Sequence, residues 1–198
     1  MRQAIAQLAA QLLADNAELT FSAARRKAQQ RLGCEHSRDV PHFEEIETAL
    51  IEHQRLFGGD THAQHLLELR RHALSAMRFL APYQPYLVGR VLSGTACKHS
   101  KVCLHVFADT AEEVMRHLID HGVPYRLGER RYRQNGTAYP LLGFVAGETP
   151  IELVVFPLAK RYQAPLSEIN GQPIPRADVA DLEVLLNNSP CTPPLPAG

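Results

Sequence analysis

The spacing of apolar residues changes once along the chain, near Pro85, and that change limits the folds open to it. Before it, apolar side chains recur at helical intervals. Ile5, Leu8, Leu12 and Leu13 make one face, which Asp15 and Asn16 end. Phe21, Ala24, Ala28 and Leu32 make a second, with Thr20 placed to cap it and Gly33 to close it. A third helix carries Phe43, Ile46, Ala49, Leu50, His53 and Phe57 and stops at Gly58 and Gly59. A fourth, started by Asp60 or Thr61, runs through Leu66, Leu69, Ala73, Met77 and Leu80 and stops before Pro82. Four short amphipathic helices predict a bundle, or an arm packed on the next domain.

Beyond Pro85 the residues favour strands. Segments 86–92, 102–108, 124–133, 139–146 and 150–156 read as β, with turns at Asn135-Gly136 and Gly147-Glu148. Thr110, with Glu113 three residues on, predicts a capping box opening a helix that ends at Gly122. Residues 177–186 form a last helix. The expected class is α+β: a helical region over 1–82, a mixed sheet with flanking helices over 83–186, and a flexible proline-rich tail over 187–198.

Charge excludes one class of partner. The 198 residues carry 21 basic and 21 acidic side chains, ten of each up to Leu80 and eleven of each beyond it. A chain that held nucleic acid by bulk charge would show a basic excess, so any such contact rests on a local arginine patch. No apolar run nears the roughly 18 residues of a spanning helix, and residues 1–13 lack the continuous apolar stretch of a signal peptide. Cys34, Cys97, Cys103 and Cys191 form no CxxC pair and read as free thiols of a cytoplasmic protein.

The most informative segment is 89–104, GRVLSGTACKHSKVCL. A glycine ends a strand, a Gly94-Thr95-Ala96 turn comes next, and Ser100 precedes a second strand continued by Leu104, Val106 and Phe107. This resembles the signature of DNA polymerase beta-type nucleotidyltransferases, with Gly89 on the family glycine. The resemblance, to a degenerate, bacterial-type member, covers roughly the last 110 residues and implies a nucleotidyltransferase-like sheet. It places the paired metal-binding carboxylates at Lys101 and Cys103 and a third carboxylate at Glu152, in PIELVVF. Such enzymes need two divalent ions to stabilise the attacking and leaving oxygens at phosphorus. Carboxylates two apart on a strand aim hard donors at one site, and glycine lets backbone approach a triphosphate.

This chain departs from that pattern at the positions that matter most. Arg90 stands where the family has serine, and the two-carboxylate motif reads Lys101-Val102-Cys103. An ammonium repels a metal ion and a thiol is a poor magnesium ligand. The expectation is a non-catalytic protein without a cofactor that binds a nucleotide, a phosphorylated ligand or a protein partner. Phosphate would meet Gly89, Arg90, Gly94, Thr95, Ser100 and Lys101, with Lys101 in place of a metal charge. Two alternatives remain open. One is an active magnesium-dependent transferase using Glu152 with His105 or Asp109. The other is a protein-interaction module.

Other clusters admit plainer readings. Arg126, Arg130, Arg131 and Arg133, with Tyr125 and Tyr132, suit a solvated edge strand, or alternatively a phosphate or RNA contact. On a strand Arg130 points away from Arg131 and Arg133. Arg25, Arg26, Lys27 and Arg31 form a basic stripe, and Lys98 and His99 join Arg90 and Lys101 near the turn. His117 and His121 have helical spacing for a metal but no HExxH pattern accompanies them; His62 and His65 are no stronger. His105 reads as a buried, hydrogen-bonded histidine. P-loop, GxGxxG and GxSxG motifs are absent from the sequence.

Overall fold

The computed structural model describes residues 1–97, 99–132, 136–167 and 169–188, with Asp60 described by its backbone alone. Lys98, Arg133, Asn135, Cys191 and the expected tail from 189 onward therefore lie outside the described residues. The chain is α+β. Helices α1 (Arg2–Asp15), α2 (Phe21–Arg31), α3 (Phe43–Phe57) and α4 (Gly59–Phe79) precede strand β1 (Tyr86–Val88) and a helical turn, α5 (Arg90–Ser93). Then come β2 (Val102–Ala108), α6 (Ala111–Asp120), β3 (Arg126–Arg131), β4 (Ala138–Ala146), β5 (Thr149–Pro157) and α7 (Val179–Asn187).

The helix starts have local causes. Thr20 Oγ1 accepts from the Ala23 amide at 3.2 Å, satisfying one of the first-turn N–H groups. At α7, Asp178 and Asp181 each accept the other's amide, closing a capping box. Thr110 departs from expectation: it precedes α6, but its side chain makes no capping bond. The first strand is also shorter than the composition suggested. It stops at Val88 because Gly89, with φ 74° and ψ −152°, enters a region open essentially to glycine. Residues 90–93 then coil into α5 instead of continuing the strand.

The sheet runs in the order β1-β2-β5-β4-β3. Only β2 and β5 are parallel; every other neighbouring pair is antiparallel. Gly147, with φ 63°, takes the first position of the two-residue β4–β5 turn, where a left-handed backbone matches the strand twist. Strand β3 lies at an edge with almost every residue exposed, and its charges discourage further strand pairing.

Three cores result. Ile5, Ala9 and Leu13 of α1 pack with Ala24, Ala28, Ile46 and Leu50 of α2 and α3. Helix α4 belongs elsewhere: its Leu69, Ala73 and Met77 pack on the sheet with Val114 and Leu118 of α6 and Leu182 of α7. That face of the sheet is apolar across its centre, with Leu87, Val102, Leu104, Val106, Leu142, Ile151, Leu153 and Val155. The opposite face holds a small aromatic cluster of Phe107, Tyr139 and Phe156 beside Val154.

Candidate functional site

Strand alternation builds the site on that second face. Cys103 and Glu152 are directly opposed in the β2–β5 register, and Gly143 of β4 lies on the other side of Glu152. Lys101 precedes β2 by one residue and shares the face of Cys103. The three positions that the resemblance assigns to metal ligands thus converge. Lys101 Nζ donates to Glu152 Oε1 at 2.9 Å and also meets Glu18 Oε2 at 3.1 Å. On the far side, Arg130 Nη2 donates to Glu152 Oε2 at 3.2 Å. One carboxylate, 17% exposed, is held between two cations.

Electrostatics follow from this packing. Its hydrogen bond to Glu152, with a further one to Glu18, raises the Lys101 pKa despite partial burial, so its charge is secure. Burial, with the Glu152 charge adding to it, pushes the Cys103 thiol up to about 11. It stays protonated and is a poor ligand for a hard cation. His105, next but one along β2, is 1% exposed; its Nε2 shares a hydrogen bond with the Tyr132 hydroxyl at 3.0 Å. Burial, then the Arg176 and Arg130 charges, bring its pKa down to about 3, keeping it neutral. Asp109 lies just past the end of β2 remote from Lys101, and is exposed.

The turn after β1 is closely fitted. The amides of Ser93, Gly94, Thr95, Cys97 and Ser100 all donate within the loop. Its carbonyls accept from the helical region: Gln54 Nε2 to Thr95 O at 3.0 Å, His62 Nε2 to Gly94 O at 3.3 Å, and Arg70 to Val91 and Leu92. Thr95 and Ser100 are each 3% exposed. Arg90 turns from the strand and donates to Ala17 O at 3.5 Å, so the α1–α2 loop is tethered twice, by Arg90 and through Glu18 by Lys101. The turn can therefore offer a ligand few free backbone donors; the positive charge of the site lies on side chains, Lys101 and Arg130, both paired with Glu152.

Glu18, Arg130 and Arg176 enter the site without having been singled out for it. Arg130 had a sequence signal, being out of phase with Arg131, which pairs with Glu129 at 3.5 Å. Glu18 had none, because its loop belongs to a different core. Elsewhere, His117 donates to Phe79 O and His121 to His117 O, and Arg25 stacks 4.5 Å over Phe43. Cys34, Cys97 and Cys103 are free thiols. Among the described residues no three His, Cys, Asp or Glu side chains gather to hold a metal, and no helix is long and apolar enough to cross a membrane.

No family model matches the chain, and no curated protein matches it. Among solved structures it is similar to the Cid1 poly(U) polymerase bound to MgATP, at 18% identity and a TM-score of 0.36 over 46% of this chain and 32% of that one. A second structure of Cid1, described for its RNA terminal uridylyl transferase activity, gives 17% identity and a TM-score of 0.33, over 45% of this chain and 30% of that one. The chain spans about a third of the length of these enzymes.

Proposed function

We propose that this chain is a nucleotidyltransferase-fold protein in which an internal cation has replaced the metal, and that it binds a phosphorylated ligand such as a nucleotide without metal-dependent transfer. The observation that carries the reading is the 2.9 Å contact of Lys101 Nζ with Glu152 Oε1. The ammonium stands between carboxylates, as a divalent ion would. Glu152, a high-pKa thiol and an ammonium at the three positions do not suit magnesium, which wants several oxygens in near-octahedral array, and the further carboxylate, Glu18, is engaged by that ammonium.

Charge supports a phosphate ligand. Lys101 and Arg130 face Glu152 together, and Glu18, the second acid, has a side chain 68% exposed on a loop. A phosphate can take the place of the Glu18 carboxylate on Lys101, exchanging one anion for another at small desolvation cost. The test is a thermal-shift panel of nucleoside triphosphates with and without magnesium. Stabilisation by a triphosphate in chelator, abolished by Lys101→Asp, is the expected result. Magnesium-dependent pyrophosphate release that disappears in Glu152→Ala would instead establish an active transferase.

The interaction-module reading has one observation in its favour. The end of α3 exposes Ile51, Leu56 and Phe57, the last by 75%. If no phosphorylated compound shifts the melting temperature, that apolar end is the surface to probe, by pull-down with Phe57→Ser as control.

A further inference from the structure

At the other end of the same sheet face lies a cleft of about 570 Å³, within the size range of small-molecule sites. Its floor is aromatic. Tyr132, Tyr139 and Phe156 present their rings, with Tyr139 and Phe156 centroids 4.5 Å apart and Tyr132 5.9–6.0 Å from both. One wall is the segment after β5, where Tyr162 is 87% exposed. Burying a ring is favourable in water, so Tyr162 at the rim of an aromatic cleft would gain by closing on a flat ligand.

One cation, Lys160, lines this cleft beside the neutral Gln163, and Arg161 and Arg176 adjoin the lining residues. Lys160 Nζ donates to the Tyr139 hydroxyl at 2.7 Å and lies 5.2 Å from the centre of its ring. Arg161 sits 5.2 Å over the Tyr162 ring. Arg176 lies behind Phe156, 5.8 Å from that ring and 5.2 Å from Phe107, and donates to Arg161 O and Gln163 O. It thereby fixes the wall that carries Tyr162. Among the described residues none of these three cations has a carboxylate partner. Both strong positive charges at the Glu152 centre, Lys101 and Arg130, are answered by an acid; among the described residues, Lys160, Arg161 and Arg176 are not.

We infer that this cleft is a binding site for a planar aromatic anion, stacked between Tyr162 and the ring floor with its carboxylate or phosphate on Lys160. Rings supply flat, polarisable surface, and an ammonium without an acid beside them supplies the charge selectivity. The site is separate from Lys101 and Glu152. Along β5, Phe156 is four residues from Glu152 on the same face, roughly 13 Å at the rise of a strand. The inference does not depend on the reading of that centre.

Calorimetric titration of the full chain with four probes tests it. 4-Hydroxybenzoate and phenyl phosphate carry ring and charge; phenol carries only the ring; acetate carries only the charge. Saturable binding of at least one aryl anion at millimolar concentration is expected, with phenol and acetate about tenfold weaker or worse. Preference between the two aryl anions distinguishes a carboxylate from a phosphate ligand. Tyr162→Ala, an exposed position, and Lys160→Gln should each weaken the preferred aryl anion by about tenfold. Binding unaffected by both substitutions, equal binding of phenol, or no saturable binding by either aryl anion would overturn the proposal. So would displacement of the aryl anion by inorganic tripolyphosphate with Lys160→Gln silent, which would place it at Lys101 and Arg130 instead.

Discussion

The two faces of the five-stranded sheet are made from the same strands and alternate residues, yet they have nothing chemically in common. One face offers Leu87, Val102, Leu104, Val106, Leu142, Ile151, Leu153 and Val155 to α4, α6 and α7. The other offers Lys101, Cys103, His105, Glu152, Arg130 and a group of aromatic rings, and is covered only in part by residues 17–19 and by residues 160–165 and 173 after β5. The first face has one task, to exclude water. The second keeps charges in partial contact with solvent, and around Glu152 these charges answer one another. A strand with period two can serve both ends at once, which is why chemistry and stability separate so cleanly here.

That contrast can be broken at its strongest point first. Leu142 is fully buried on the apolar face. Leu142→Ala should cost about 2–5 kcal/mol of unfolding free energy, through lost burial plus the cavity left behind. Urea denaturation measures it. A loss below about 1 kcal/mol would mean that the helices do not seal that face.

On the polar face the largest effect should appear in acid. His105 is neutral in the folded state, with its pKa brought down to about 3 by burial and by Arg176 and Arg130. The unfolded histidine titrates near its ordinary value of about 6.5. Below that pH the unfolded chain takes up a proton that the folded chain refuses. Stability therefore falls as pH drops from about 6.5 toward 3, at up to about 1.4 kcal/mol per pH unit from this residue. The groups facing it are Tyr132, Cys103 and the two arginines, none of which changes charge in that window. His105→Gln should flatten this part of the profile; an unchanged acid slope would move the cause elsewhere.

The Lys101–Glu152 pair should show a smaller, specific coupling. Lys101 is 32% exposed and Glu152 17%, so solvent screens the contact. A double-mutant cycle with Lys101→Met and Glu152→Gln should return about 1 kcal/mol. Because its partners raise the Lys101 pKa, this support is complete below the ordinary lysine range and disappears as pH climbs through the raised value. Zero coupling would remove the idea that the ammonium stands in for a metal.

The sequence made some of these features readable and hid others, for reasons of distance. Helices α1 to α3 and the strands β2, β4 and β5 follow from local spacing, because a burial period is written in neighbouring residues. The opposition of Lys101, Cys103 and Glu152 was also legible, through the motif around Gly89. The allegiance of α4 was not: its spacing says that it has an apolar face, not which core that face joins. Glu18 was invisible for the same reason, since a loop between two helices gives no hint of a lysine on a distant strand. The segment 158–176 carries no periodicity at all. Residues 161–163 are held in place by long-range contacts, chiefly Arg176 on the rings and on the carbonyls of Arg161 and Gln163.

The finest test uses a residue adjacent to Leu142. Gly143 comes next in β4, faces the other way, and lies opposite Glu152 in the register. A Cβ built there would meet nothing within 4 Å. Its backbone is not in the left-handed region, so alanine fits without strain and reduces the freedom of the unfolded chain. Gly143→Ala should therefore stabilise slightly, by about 0.5 kcal/mol, while its neighbour Leu142→Ala is severely destabilising. Urea midpoints of the two variants measured side by side give the comparison. If Gly143→Ala costs more than about 1 kcal/mol, something covers the space above Glu152, and the open polar face is closed in solution.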